Sequence, residues 1–222
     1  MTRSEPRRRA MPAMRAAIAG YWKELADVAA DIDLAAVAHA ANRLLDCQTR
    51  GGSVFIVGNG GSAATASHMA CDLAKGARGD GPPIFRVVAL TDNVPLLTAW
   101  ANDTSYDRVF AEQLRSLAQM GDLLIAISAS GNSPNIVAAV EAATALGVET
   151  LAISGRLGGR IGRLADHAIR VPSDRIEVVE DAHLIVAHSV CVALRERLAT
   201  HAGETVVLRP PMMPLEPIEL PA

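Results

Sequence analysis

Residues 54–62 read VFIVGNGGS, and residues 123–133 read LLIAISASGNS. In each segment a short apolar run, typical of a buried β-strand, leads directly into a turn of glycine, serine and asparagine. Such a turn at the start of a helix presents backbone N–H groups, serine hydroxyls and the positive end of the helix dipole to an anion. The two segments therefore predict two turns that together bind the phosphate of a small molecule.

Strands and helices alternate along the rest of the chain. The pattern predicts helices at residues 14–30 and 34–49, with Asp33 as the N-cap of the second, and a last helix at about 176–198. The order predicts an α/β fold, a doubly wound, mostly parallel five-stranded sheet flanked by helices, whose ligands bind beyond the carboxyl ends of the strands. The predicted strands are residues 54–57, 86–90, 123–127, 150–153 and 168–171.

The length and composition fit one domain with an aliphatic core. The chain has 222 residues, of which half are hydrophobic and only 3% are aromatic. Arginines crowd the first residues, and the last residues are rich in proline. We predict a basic flexible tail at residues 1–13, a single domain at 14–200 and a proline-rich C-terminal tail at 201–222.

The charge, the hydropathy pattern and the cysteine content argue against nucleic-acid binding, a membrane span and disulfide bonds, respectively. A net charge of −3 without a long basic stripe argues against direct binding of nucleic acid. No uninterrupted run of about 18 apolar residues occurs, so we predict no membrane span. Cys47, Cys71 and Cys191 are an odd number without CxxC spacing, which argues against a disulfide framework and predicts a reducing, cytoplasmic location.

Two other interpretations of the first turn remain open. Residues 58–63 also satisfy the G-x-G-x-x-A form of the dinucleotide fingerprint, which needs an acidic residue about 20 positions further on, at the end of the second strand. Asp92, the candidate there, is some 34 positions away, and Asp72 lies on the predicted helix. Simple loop glycines would explain Gly58 and Gly61, but not four serines at two strand ends.

The chain resembles the sugar isomerase (SIS) domain family, and within it the phosphoheptose isomerases, over roughly residues 17–198. The resemblance implies a cytoplasmic homotetramer with active sites at subunit interfaces. The implied reaction converts sedoheptulose 7-phosphate into D-glycero-D-manno-heptose 7-phosphate through an enediol, and family members commonly hold zinc in the site. The segments that carry the resemblance are residues 58–63, 67–73, 101–103, 128–133 and 180–183, followed by His188.

The resemblance also implies a set of substrate-binding residues. The serines among them match the family's phosphate ligands, and Asn59 matches a position that lines the sugar. Ala129 stands where the family usually has threonine, so one hydroxyl contact to phosphate is missing. The implied substrate-binding residues are Asn59, Gly60, Ser62, Asp92, Ser128, Ser130, Ser133 and Glu180.

His68 and Asp72 lie four residues apart on the helix predicted after the first turn, so both project from one face. A carboxylate and an imidazole suit an isomerisation in which a base moves a proton between neighbouring carbons. The resemblance implies Asp72, where the family usually has glutamate, as the base or a zinc ligand. The structural alternatives are an exposed His68 and an ion pair between Asp72 and Lys75.

The last predicted helix supplies the remaining candidates. The resemblance implies His188 as the second catalytic acid or base, and a zinc ligand set of His68, Asp72, Glu180 and His188. Glu180 takes a place where glutamine is usual, and without zinc it could itself be the acid or base. Glu180 and His188 are eight residues apart, about 12 Å along an ideal helix, which is far for two ligands of one ion. Either the helix bends, or the two serve at different depths or in different subunits.

A second class of function is also open. Some SIS-domain proteins bind sugar phosphates as adaptors or sensors without catalysis. The substitutions at Asp72, Ala129 and Glu180 are of the kind expected in a site that has lost its activity. A third possibility is an isomerase of another sugar phosphate, because the shape of the pocket determines how many carbons the bound sugar can have.

Overall fold

The computed structural model describes residues 5–78 and 85–200. Its strands are β1 (Ser53–Val57), β2 (Arg86–Ala89), β3 (Leu123–Ser128), β4 (Glu149–Ser154) and β5 (His167–Arg170). Its helices are α1 (Glu5–Ala30), α2 (Leu34–Thr49), α3 (Gly61–Ala74), α4 (Val94–Asp103), α5 (Val109–Leu117), α6 (Pro134–Ala145), α7 (Ile161–Leu164) and α8 (Ile176–Thr200), with 3-10 turns at Gly76–Arg78 and Tyr106–Arg108.

The five strands form one sheet in the order β2-β1-β3-β4-β5, and all the pairings are parallel. This confirms the predicted doubly wound sheet. The order reverses between β1 and β3, so the helices that follow these two strands lie on opposite faces of the sheet. A crevice therefore opens at the carboxyl ends of β1 and β3, where both glycine and serine turns begin.

Each face of the sheet has its own core, because successive side chains of a strand point to opposite faces. In β3, Leu123, Ile125 and Ile127 pack into a core shared with α2, α3 and α8, whereas Leu124 and Ala126 face α5 and α6. Both cores are almost entirely aliphatic, as the composition predicts. The strands that carry the crevice are thus buried on both sides, and this burial holds their ends in place.

The amino-terminal end differs from the prediction. Helix α1 begins at Glu5, so residues 5–13, which we predict from the sequence as a flexible tail, are helical. This stretch is rich in arginine and alanine, which are good helix formers. The next boundary is as predicted, since the Asp33 carboxylate accepts hydrogen bonds from the N–H groups of Ala35 and Ala36. The predicted tail at 201–222 lies outside the described residues.

A charged cluster ties α2 to the amino ends of β4 and β5. The Glu149 carboxylate accepts hydrogen bonds from Arg43 Nε at 2.5 Å and Nη2 at 3.1 Å, and His167 Nε2 lies 2.8 Å from it. The Arg43 hydrogen bond is the largest of the effects that lower the pKa of Glu149 from 4.5 to about 2, although burial opposes them. Glu149 is therefore ionised in the folded protein at any pH near neutrality.

Replacing Glu149 by glutamine is expected to lower the free energy of unfolding at pH 7 by on the order of 2 kcal/mol. The folded-state pKa is depressed, so the stabilisation is present above about pH 4.5 and is lost as the pH falls towards 2. Urea unfolding at pH 7 and pH 3.5 checks this, with Glu141→Gln as the control, because Glu141 pairs with Arg160 in an exposed ion pair. The prediction would be contradicted if the free energy of unfolding of Glu149→Gln differed from that of the unsubstituted chain by the same amount at both pH values.

Candidate active site

The first turn joins β1 to α3. Gly60 has a φ of +54° and forms the N-cap of α3, and its carbonyl accepts the N–H groups of Ala63 and Ala64. Gly58 packs so closely that a Cβ atom there would lie 2.4 Å from the carbonyl oxygen of Ser62. Both glycines are thus needed for the tight path of the turn. The turn aims the N-terminus of α3 and the Ser62 side chain at the crevice.

The second turn joins β3 to α6 and is held by its own serines. The N–H of Gly131 donates to Ser128 Oγ at 3.2 Å, and the N–H of Asn132 donates to Ser130 Oγ at 3.2 Å. Ser133 is the N-cap residue of α6, and its hydroxyl lies 3.3 Å from Ser128 Oγ. The turn therefore brings three hydroxyls to the N-terminus of α6.

A cavity of about 190 Å³ lies between the two turns. Six of the eight predicted substrate-binding residues line it, namely Asn59, Ser62, Ser128, Ser130, Ser133 and Glu180, together with Ile127, Ala129 and Ile176. Two helix N-termini and four serine hydroxyls meet at this cavity, and no lysine or arginine is among the described residues that line it. This arrangement suits an anion that is bound by dipoles and hydrogen bonds.

Asn59 and Asn135 pair across the crevice through their side-chain amides. Asn59 Nδ2 donates to Asn135 Oδ1 at 2.8 Å, and Asn135 Nδ2 donates to Asn59 Oδ1 at 2.8 Å. The Tyr106 hydroxyl also donates to Asn59 Oδ1, at 3.0 Å. Neither Asn135 nor Tyr106 can be found from the sequence, because no local motif marks them.

The structure brings the two histidines and Asp72 together where α3 packs against α8. The Nε2 atoms of His68 and His188 are 2.9 Å apart, and Asp72 Oδ2 lies 3.4 Å from His68 Nε2 and 3.5 Å from His188 Nε2. The side chains of His68 and His188 are 47% and 50% exposed, and that of Asp72 is 27% exposed. This half-open cluster offers two nitrogen donors and one oxygen donor, a set that fits a zinc ion.

Glu180 stands apart from that cluster. Its carboxylate lies against Gly61, where a Cβ atom would come within 2.4 Å of Glu180 Oε2. A negative charge at the N-terminus of α3 is favourable. The structure has Glu180 at the glycine and serine turns and His188 further along α8. Of the arrangements that the sequence leaves open, it therefore favours two different depths. Glu180 as a fourth metal ligand stays a prediction.

The two remaining predicted substrate-binding residues, Gly60 and Asp92, are not part of the cavity lining. Gly60 shapes the turn, as described above. Asp92 is exposed at the end of β2, and its Oδ1 accepts hydrogen bonds from the hydroxyls of Ser67 and Thr91. Ser67 is a residue of α3, so Asp92 is tied to the helix that carries His68 and Asp72.

Two nearby side chains are excluded from proton transfer by burial. His183 on α8 is fully buried, and burial lowers its pKa to about 4, which makes the imidazole neutral at pH 7. Cys191 on α8 is also buried, and desolvation first, with the charge of Asp72 second, raises its pKa to about 12. The three cysteines are free, and Cys71 is the exposed one among them.

The chain is similar to known proteins both in sequence and in fold. A family model described as the SIS domain matches residues 20–155. The phosphoheptose isomerase of Akkermansia muciniphila is 40% identical over 174 residues, which cover 78% of this chain and 89% of that protein. Among solved structures, phosphoheptose isomerase GmhA from Neisseria gonorrhoeae matches with a TM-score of 0.76 at 33% identity, over 82% of this chain and 99% of that one. A phosphoheptose isomerase from Francisella tularensis matches with a TM-score of 0.77 at 29% identity, over 84% and 98% of the two chains.

The described part of the chain holds no helix that is both long and apolar enough to cross a membrane.

Proposed function

The chain belongs to the SIS-domain family as one of its phosphoheptose isomerases, and we propose that it interconverts sedoheptulose 7-phosphate and D-glycero-D-manno-heptose 7-phosphate. The observation that carries the proposal is the placement of two different groups on one helix. The N-terminus of α3 lies at the serine-lined cavity, and further along α3 His68 and Asp72 meet His188. The N-terminus of α3 suits the binding of an anion, and the cluster further along the helix suits the transfer of a proton.

The spacing of these groups matches a sugar that carries its phosphate far from its carbonyl. Ser62 and His68 are six residues apart on α3, which is about 9 Å along the helix. A phosphate held by Ser62, Ser128, Ser130 and Ser133 thus leaves the other end of the sugar near His68. Among the described residues that line the cavity none is basic and Glu180 is acidic, so backbone dipoles and hydroxyls would have to neutralise the phosphate charge.

Proton transfer falls to Asp72 and His188 in this proposal. The Asp72 carboxylate removes a proton from carbon 1 of the ketose, and the C–H electron pair becomes the carbon–carbon double bond of an enediol as the oxygen on carbon 2 gains a proton from His188. Asp72 then delivers its proton to carbon 2, while His188 takes the proton of the carbon 1 hydroxyl and leaves the aldehyde. Each group returns to its starting state, as general acid–base catalysis requires.

Zinc is a further part of the proposal. His68, His188 and Asp72 would hold the ion, since their donor atoms all lie within 4.8 Å of one another, and the proton transfers described above are those of the site without the ion. A bound zinc ion would polarise the carbonyl of the substrate as a Lewis acid. Glu180 would have to leave Gly61 to become a fourth ligand.

We also propose a cytoplasmic homotetramer with the active sites at subunit interfaces. His68 and His188 are about half exposed in the single chain, and exclusion of water favours a proton-transfer site. The exposed apolar residues Ile185 and Val192 flank His188 on α8, which is what a covering subunit would bury. The cytoplasmic location is supported by the three free cysteines.

Turnover of sedoheptulose 7-phosphate by the purified chain tests the proposed function. The reaction is followed in deuterium oxide by NMR, with added zinc and with a chelator in parallel. We expect the heptose 7-phosphate to form with deuterium at carbon 2, because the transferred proton exchanges with solvent on the base. Binding without turnover and without deuterium uptake in every metal condition would overturn it and favour the adaptor function. Faster turnover of fructose 6-phosphate would instead change the proposed substrate.

A further inference from the structure

The amide pair between Asn59 and Asn135 connects the two turns of the anion site. Asn59 belongs to the turn after β1, whereas Asn135 is the second residue of α6, which follows the other turn. Two reciprocal hydrogen bonds of 2.8 Å join them, and the N–H of Ile136 donates to Asn135 Oδ1 at 3.0 Å. The pair therefore fixes the distance between the first turn and the start of α6.

Tyr106 completes this pair from outside both turns. Its hydroxyl is the second donor to Asn59 Oδ1, so both lone pairs of that oxygen are engaged. Because Asn59 Nδ2 also has a partner, the amide can satisfy all three bonds in one orientation only. Asn59 lines the cavity, and three hydrogen bonds of its amide go to Asn135 and Tyr106.

We propose that Tyr106 is a positioning residue, whose hydroxyl holds the Asn59–Asn135 pair and thereby sets the separation of the two turns that bind phosphate. The proposal rests on the proposed function, since it takes phosphate as the ligand of the cavity. It goes beyond that function by giving a task to a residue outside the cavity and outside both turns.

The burial of the three residues supports positioning over a role in the core. Asn135 is 2% exposed, so the pair is shielded from water on that side, whereas Tyr106 is 58% exposed and buries little apolar surface. The hydroxyl is thus the part of Tyr106 with a defined partner in the site. Its removal should change the geometry of the turns more than the stability of the fold.

Replacement of Tyr106 by phenylalanine is expected to weaken phosphate binding by about 2- to 10-fold, the range that corresponds to one neutral hydrogen bond. The reason is that the two turns must then be brought to their binding distance by the ligand itself. We expect KM for sedoheptulose 7-phosphate to rise by a similar factor while kcat changes by less than about 2-fold, because Asp72 and His188 are untouched.

The experiment measures the dissociation constant of inorganic phosphate by calorimetry on the full chain, beside KM, kcat and urea unfolding. Tyr21→Phe is the matched control, because it removes the chain's other tyrosine hydroxyl, which contacts Asp181 and the backbone of Glu177. In an Asn59→Ala background, Tyr106→Phe should have no further effect on phosphate affinity, since the hydroxyl acts through Asn59.

Each outcome decides the inference separately from the proposed function. Weaker binding of inorganic phosphate by Tyr106→Phe, cancelled by Asn59→Ala, supports it even if the chain turns over no heptose phosphate. An unchanged phosphate affinity overturns it, as does a lowered stability with an unchanged KM. Failure of the unsubstituted chain to bind inorganic phosphate also overturns it.

Discussion

Replacement of Asp72 by asparagine is expected to lower kcat for the isomerisation by on the order of 10³-fold. Asparagine has nearly the same shape as aspartate, but its amide cannot accept the proton that must leave carbon 1. His188→Ala, which removes the partner whose Nε2 lies 3.5 Å from Asp72 Oδ2, should cause a loss of the same order. Affinity for the phosphosugar should change little, because neither residue lines the serine cavity.

The measurement compares kcat, deuterium uptake and ligand binding for both variants with those of the unsubstituted chain. Asp27→Asn is the control, because it removes an exposed carboxylate that pairs with Lys23 on α1, far from α3 in the sequence. Metal content is measured on every sample, so that a loss of zinc is separated from a loss of the base. A rate like that of the unsubstituted chain for either Asp72→Asn or His188→Ala would contradict the assignment.

The sequence predicts the fold and the two turns well because their signals are local. Apolar runs of four to six residues followed at once by glycine and serine specify strand, turn and helix within a dozen positions. Parallel pairing then brings the carboxyl ends of β1 and β3 side by side, as the register Val54↔Leu123 to Val57↔Ala126 shows. Once the strand order is known, it follows from the geometry that both turns line one cavity.

Contacts between residues far apart in the chain could not be predicted in the same way. Asn135 meets Asn59 over 76 positions and Tyr106 meets it over 47, and no period or motif relates them. Glu149 and Arg43 are 106 positions apart, and their pairing depends on where α2 packs against the sheet. Single polar residues of this kind look like ordinary surface residues until the fold brings their partners to them.

The position of the Glu180 carboxylate could not be predicted from the sequence for a different reason. The chain order puts it on the same helix as His188, and a helical period alone cannot say to which of two groups on α3 a side chain belongs. The structure has its carboxylate at Gly61, beside the serine-lined cavity, instead of with His68 and Asp72. The missing side chain of Gly61 decides this, because the carboxylate occupies the space that a Cβ atom would take.

The second turn is the part of the site that is most sensitive to a single methyl group. Gly131 has a φ of +64°, and a Cβ atom there would lie 2.1 Å from the carbonyl oxygen of Gly158. The neighbour is backbone and cannot rotate away, so the turn itself must move. Its N–H donates to Ser128 Oγ, and its carbonyl accepts the N–H of Ile161, so movement breaks bonds on both sides.

Gly131→Ala is therefore expected to weaken binding of inorganic phosphate by about 100-fold or more and to lower the free energy of unfolding by about 3 kcal/mol. The loss combines the backbone strain of a left-handed alanine with the displacement of the serine hydroxyls. Calorimetry and urea unfolding measure the two effects. Gly20→Ala is the control, because its Cβ position in α1 has no atom of the described residues within 4 Å apart from its chain neighbours and the nearby backbone of its own helix. Alanine there should stabilise the helix by about 0.5–1 kcal/mol without a change in phosphate affinity. Phosphate affinity in Gly131→Ala equal to that of Gly20→Ala would show that the cavity at the second turn is not where the anion binds.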